Sequence, residues 1–182
     1  MAQEIGDGRV KASLVVPVPE AEALVGRFRS EYDPGARRGM PAHITINYPF
    51  IPGVTPSADT LDRLTKVFAS TQPLSFTLNH IARFPNVLYL APSPSTPFER
   101  LTARIAHEFP ESPPYGGQYD SVTPHLTVVD SKDGDLPGSV EREFSEVAAK
   151  YLPLEAFADS VWLMDDSTGR WEKRLSFSLG GM

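Results

Sequence analysis

Two stretches decide the fold: Pro41-Ala42-His43-Ile44-Thr45-Ile46-Asn47-Tyr48 and Pro124-His125-Leu126-Thr127-Val128-Val129. Each follows a proline, places a histidine at its start and continues in β-branched residues, the composition of a strand. Side chains alternate along a strand, so His43 and Thr45 share one face and Ile44 and Ile46 the other. His125 and Thr127 share a face in the same way, opposite Leu126 and Val128. The apolar face can pack under helices, which leaves imidazole and hydroxyl pointing away from that core. The two histidines stand 82 residues apart in a chain of 182. A local pattern repeated at half the chain length points to a duplicated architecture.

Working outward, the elements around each stretch follow a similar order. Ahead of His43, Ala12, Leu14, Val16 and Val18 alternate as a strand. Leu24, Phe28 and Tyr32 then recur every four residues as a helix opened by Pro19 and stopped by Asp33-Pro34-Gly35. Residues 36–41 read as a loop. After Tyr48 and the Pro52, Gly53 and Pro56 connection, a helix begins at Ser57 with Leu61, Leu64 and Phe68 on one face. A third strand follows with Leu74, Phe76 and Leu78. Arg83-Phe84-Pro85-Asn86 reads as a turn, and residues 87–90 as the strand beyond it. Thr96 and Glu99 form a capping box, with Pro97 at the first position of a helix striped by Phe98, Leu101, Ile105 and Phe109. A long aperiodic loop, 111–124, leads to His125. Val140, Phe144, Val147 and Tyr151 mark another helix. Strands at 161–164 and 175–179 form a hairpin across residues 165–170. The expected fold is α+β: two antiparallel sheets around a central cleft with helices outside, in one bilobal, pseudo-symmetric domain over residues 1–182.

Composition excludes several functions. Cysteine is absent, so disulfides, thiolate metal sites and a cysteine nucleophile are ruled out. Seventeen Lys and Arg against 23 Asp and Glu leave a net charge of −6, which argues against a duplex-tracking surface. A small anion held by a few donors remains compatible with that charge. No segment approaches the ~18–20 apolar residues needed to cross a bilayer, and Met1–Gly8 lacks the basic and apolar regions of a secretory signal. A cytoplasmic monomer without membrane contact is expected.

The histidine pair suits phosphodiester chemistry. In-line attack at phosphorus needs one group to take a proton from the attacking oxygen and another to give one to the leaving oxygen. Imidazole serves both roles because its pKa lies near 6.5. Hydroxyls two residues along the same faces can steady the non-bridging oxygens. The scheme needs no metal or other cofactor, and two histidines without His-x-His spacing make a poor ligand set.

The paired motifs resemble those of the 2H phosphoesterase superfamily, in particular its 2′-5′ RNA ligase-like and cyclic phosphodiesterase branch. Arg83-Phe84-Pro85-Asn86-Val87-Leu88-Tyr89-Leu90 and Pro113-Pro114-Tyr115-Gly116-Gly117 extend the resemblance over residues 11–179. It implies a bilobal fold with His43, Thr45, His125 and Thr127 facing one cleft, the histidines catalytic and the threonines phosphate-binding. It implies metal-independent opening of 2′,3′-cyclic phosphate ends of nucleotides or RNA to 2′-phosphates. The alternatives are 2′-5′ RNA ligation or 2′-5′ phosphodiester cleavage at the same site, or a non-catalytic nucleotide-binding module.

Around these four, Arg38, beside Arg37, is placed to fork onto a phosphate. Tyr115, with Tyr119, is placed to stack on a base. Strict alternation puts Asn47 on the cleft face and Tyr48 on the core face unless Pro49 bends the strand. His107 reads as a solvated helix residue and His80 as structural. Asp130-Ser131-Lys132-Asp133-Gly134-Asp135 reads as a solvated turn.

Overall fold

Alternation in the sequence becomes two four-stranded antiparallel sheets in the computed structural model, which describes residues 10–51, 55–131 and 136–181. In chain order the elements are β1 (Ala12–Pro17), α1 (Glu22–Tyr32), α2 (Pro34–Arg37), β2 (His43–Asn47), α3 (Ala58–Ala69), β3 (Leu74–Phe84) and β4 (Val87–Ser93). They continue with α4 (Thr96–Glu108), β5 (Leu126–Asp130), α5 (Gly138–Ala148), β6 (Leu154–Ala158), β7 (Ser160–Asp165) and β8 (Glu172–Ser178). The first sheet runs β2-β1-β7-β8 and the second β5-β4-β3-β6. The orders match term by term, with the two motif strands at corresponding edges. Those edges meet, so the sheets curl into one concave surface.

The helices are exchanged between the halves. Helix α1 follows β1 but packs on β5 of the second sheet, while α4 follows β4 but packs on β2 of the first. Helix α3 covers β8, and α5 joins α1 through Phe28 and Phe144, whose rings meet edge to face at 5.0 Å. The apolar residues of both motifs, Ile44, Ile46, Leu126 and Val128, are fully buried in the core that these helices close. Each such side chain contributes roughly 1.5–3 kcal/mol by leaving water. The opposite, concave faces remain for the site.

Several local readings are corrected. Residues 36–41 are not all loop: Asp33 caps α2 by accepting from the Gly35 amide at 2.8 Å. The residue preceding α4 is Ser95, one position earlier than the expected cap. Its hydroxyl donates to Glu99 Oε1 at 2.7 Å, and no side chain caps the first amides. Strand β3 continues to Phe84, so the turn shrinks to Pro85-Asn86. Strand β6 carries little signal in the sequence because its inward residues are Ala156 and Ala158, a residue type poor in strand propensity, while Phe157 is exposed. Helix α3 starts where expected, and Ser57 caps it, its Oγ accepting from Thr60 N at 3.1 Å. Residues 52–54 and 132–135, and with them most of the acidic turn at 130–135, lie outside the described residues. Among the described residues no helix is long and apolar enough to cross a membrane.

Candidate active site

The two histidines are oriented by the same device. His43 Nδ1 is 2.7 Å from the carbonyl oxygen of Pro41, and His125 Nδ1 is 2.8 Å from that of Thr123. A carbonyl only accepts, so Nδ1 carries the proton in each neutral imidazole and Nε2 is left with its lone pair. His43, Thr45 and Thr127 line one cavity of about 220 Å³ on the concave surface. His125, two residues before Thr127, is not one of the residues lining that cavity, but it is close enough that charge on it disfavours charge on His43. Its ring is braced edge-on by Phe84 at 5.2 Å and by Tyr89 at 5.3 Å.

A bulge follows each motif and decides what else faces the cavity. Val15 pairs with Thr45 but Leu14 with Asn47, so Ile46 is an extra residue in β2. Tyr89 pairs with Thr127 but Leu88 with Val129, so Val128 is an extra residue in β5. Across a bulge two consecutive residues oppose one, and alternation slips by one place. Asn47 therefore turns to the helix side. It is 1% exposed, and its Nδ2 donates to the Ser112 carbonyl at 2.9 Å. The cleft-facing place read for Asn47 from strict alternation is corrected accordingly. Tyr48 and, at the equivalent position in the other half, Asp130 return to the cavity wall. Tyr48 rests edge-on against Trp171 at 6.3 Å, over an apolar floor of Val15, Met40 and Met164.

The segment leading to His43 is held from behind by a buried ion pair and an exposed carboxylate. Arg29, on α1, gives bonds from Nε and Nη2 to Asp33 Oδ2 at 3.2 and 2.9 Å, and Nη2 also donates to the Met40 carbonyl at 3.1 Å. Glu22 Oε1 accepts from the Ala42 amide at 2.6 Å. Pro41, whose carbonyl orients His43, lies between these two anchors. At Gly39, φ is +102° and a Cβ would come within 3.0 Å of the Trp171 carbonyl, so only glycine fits the close approach. The Trp171 amide in turn donates to the Arg38 carbonyl at 2.7 Å.

The remaining candidates separate. Arg38 lines the cavity, its guanidinium bonded to Asp166 Oδ2 at 2.8 Å. Arg37 turns away to the Glu31 carbonyl. Tyr115 donates its amide to the Tyr48 carbonyl at 2.6 Å and meets Tyr119 edge-on at 5.8 Å. His107 is exposed on α4, as expected, and His80 is exposed on β3. Lys11, Asp33 and Trp171 also line the cavity without having been singled out from sequence, and Asp130, which reads in the sequence as the start of a solvated turn, instead ends β5 on the cavity wall. Comparing positions after each histidine would have found Asp130: the apolar pair Val128-Val129 breaks alternation where Ile46-Asn47 does.

Burial and the Arg29 cation push the His43 pKa down to about 4, against the opposing pull of the Pro41 bond. Burial also lowers that of His125. Both imidazoles are therefore neutral at pH 7. Burial, with Tyr119 and Tyr48 nearby, raises the Tyr115 hydroxyl to about 12, so it stays protonated. Among the described residues no three His, Asp or Glu side chains converge as metal ligands.

Two mirrored strands, each bringing a histidine and a threonine to one concave surface, are the construction of a two-histidine phosphoesterase. Residues 17–170 match the 2′-5′ RNA ligase superfamily, and the chain belongs to it. It is 25% identical over 174 residues to a provisionally named phosphoesterase of Geobacillus kaustophilus (strain HTA426), covering 92% of this chain and 95% of that one. The fold is similar to that of E. coli LigT in complex with 3′-AMP, with TM-score 0.60 and 15% identity over 94% of this chain and 98% of LigT. It is similar also to TT0787 of Thermus thermophilus, with TM-score 0.61 and 17% identity over 94% and 98% of the two chains.

Proposed function

We propose that the chain is a metal-independent phosphoesterase that opens 2′,3′-cyclic phosphate ends of nucleotides or RNA to 2′-phosphates. The observation that carries this reading is the pair of mirrored Nδ1–carbonyl bonds, which leaves two Nε2 atoms as the proton-transfer positions beside Thr45 and Thr127. One neutral imidazole takes a proton from water as its oxygen bonds to phosphorus. The bond from phosphorus to the ribose 3′ oxygen breaks, and the other histidine, as imidazolium, protonates that oxygen. A phosphate anion beside both rings favours protonation of one of them, which offsets the effect of burial. The threonine hydroxyls, with Arg38, hold the non-bridging oxygens. The net charge of −6 favours terminal phosphates and small nucleotides over duplexes, bound by a monomer.

The test is turnover of nucleoside 2′,3′-cyclic phosphates and 2′-5′ dinucleotides in EDTA, with products identified by phosphorus NMR. Cyclic phosphates opened to 2′-phosphates support the reading. Activity that vanishes with EDTA and returns with one divalent ion overturns metal independence. Joining or cleavage of 2′-5′ linkages alone assigns the site to that reaction. Binding without turnover of any substrate leaves a nucleotide-binding module.

A further inference from the structure

We propose that a second cavity, bordering His125, receives the nucleobase of the substrate and selects bases that carry an amino group over uracil. The proposal rests on the cyclic-phosphate reading above. The cavity measures about 820 Å³, large enough for a nucleoside, and lies between the concave face of the second sheet, helix α4 and the 113–124 loop. It shares no lining residue with the phosphate cavity and approaches it through the neighbours of His125 and Thr127. Thr123, whose carbonyl orients His125, lines it, as does Tyr89, whose ring braces the same imidazole and whose backbone pairs with Thr127. A nucleoside whose phosphate lies at His125 therefore has this cavity on the Thr123 and Tyr89 side of that ring.

The corresponding hollow in the other half is a poorer receptor. It measures about 390 Å³, less than half the volume, with Pro17, Pro19, Pro41, Phe157 and Trp162 in its wall. The larger cavity offers both the room and a ring: Tyr119 is 63% exposed at its wall and steadied edge-on by Tyr115. Every base has a π face, so an exposed aromatic ring beside a nucleotide site suits stacking.

Charge defines what enters. The charged side chains among the described residues lining this cavity are Glu99 and Asp120, both acidic, with no Lys or Arg beside them, whereas the phosphate cavity sets Arg38 and Lys11 beside Asp33 and Asp130. Further phosphates are repelled, so the occupant is one nucleoside rather than a continuing strand. Glu99 is fixed by the Ser95 hydroxyl at 2.7 Å. Carboxylates only accept, and cytosine, adenine and guanine each present an exocyclic amine. Uracil offers only N3–H, flanked by two carbonyl oxygens that a carboxylate repels.

The experiment measures kcat and KM for the four nucleoside 2′,3′-cyclic phosphates on the wild-type protein, Tyr119→Ala and Glu99→Gln, with folding checked by thermal unfolding. Tyr119→Ala should raise KM about 5–50-fold with kcat nearly unchanged, the loss expected of one stacking partner. Glu99→Gln should improve uridine relative to cytidine and flatten the base preference. Calorimetry with adenosine 2′-phosphate and inorganic phosphate gives a readout without turnover: Tyr119→Ala should weaken the nucleotide and leave phosphate unchanged. Turnover with base-independent KM, or nucleotide affinity indifferent to Tyr119, overturns the nucleobase cavity while the reaction stands. Uridine preferred by the wild-type protein overturns the amino-group selection. No turnover with calorimetry as expected overturns the reaction and keeps the cavity.

Discussion

Each imidazole owes its direction to a carbonyl two residues earlier, and that bond fixes which nitrogen transfers protons. His43→Ala and His125→Ala should each lower kcat about 10²–10⁴-fold, with a double variant losing less than the product of the two. Thr45→Val and Thr127→Val should cost roughly 10–150-fold, one hydrogen bond to a charged phosphate each. Steady-state kinetics on the best cyclic phosphate read all five. Near-full turnover in either single histidine variant would rule out the paired acid–base scheme. Titration has a worked sign as well. The His43 pKa of about 4 lies below the ordinary 6.5, so between those values the unfolded chain binds more protons there than the folded one. Stability contributed by His43 is full above pH 6.5 and lost as pH falls towards 4. Denaturant unfolding across that window, repeated on His43→Ala, should show a shallower pH dependence in the variant. Arg29→Met should raise the His43 midpoint in a proton NMR titration while moving His125 less, and should cost about 3–5 kcal/mol by stranding buried Asp33.

Among elements, the two bulges decide which side chains after each motif serve the cleft. Asn47→Ala should destabilise by about 1–3 kcal/mol, since the buried Ser112 carbonyl loses its donor, and should leave KM nearly unchanged. Tyr48→Ala should instead raise KM while costing less stability. Thermal melts beside kinetics separate the two, and the opposite pattern would show that the bulge assignment misplaces them. This slip explains how far the site was legible. Period-two reasoning placed His43, Thr45 and Thr127 on the cavity because they precede the bulges, and it failed at Asn47 because a bulge adds one residue without announcing itself in composition. The strands and amphipathic helices were legible from strong periodicity. Strand β6 was not, since alanine inside and phenylalanine outside invert the usual contrast. Arg29 and Asp33 were read only as parts of a helix and its stop, because their value lies in a contact with the segment before His43 that no local pattern encodes.

At the scale of the whole molecule, the exchanged helices tie the two sheets together. Because α1 covers β5 and α4 covers β2, neither sheet can lose its partner half without baring core. Unfolding should therefore be a single transition. Trp162 and Trp171, both associated with the first sheet, report on it by fluorescence, while far-ultraviolet circular dichroism reports on all helices. The two midpoints should coincide, and Phe28→Ala, at the contact with Phe144, should lower both together by about 3–5 kcal/mol of stability. Separate midpoints would mean that the halves fold independently. The same exchange bears on self-sufficiency. A half-length chain built this way could cover its sheet only by lending its helix to a second copy and borrowing that copy's helix in return. Across the two-fold axis of such a pair, one histidine would face its own image, and the cleft would lie on a subunit boundary.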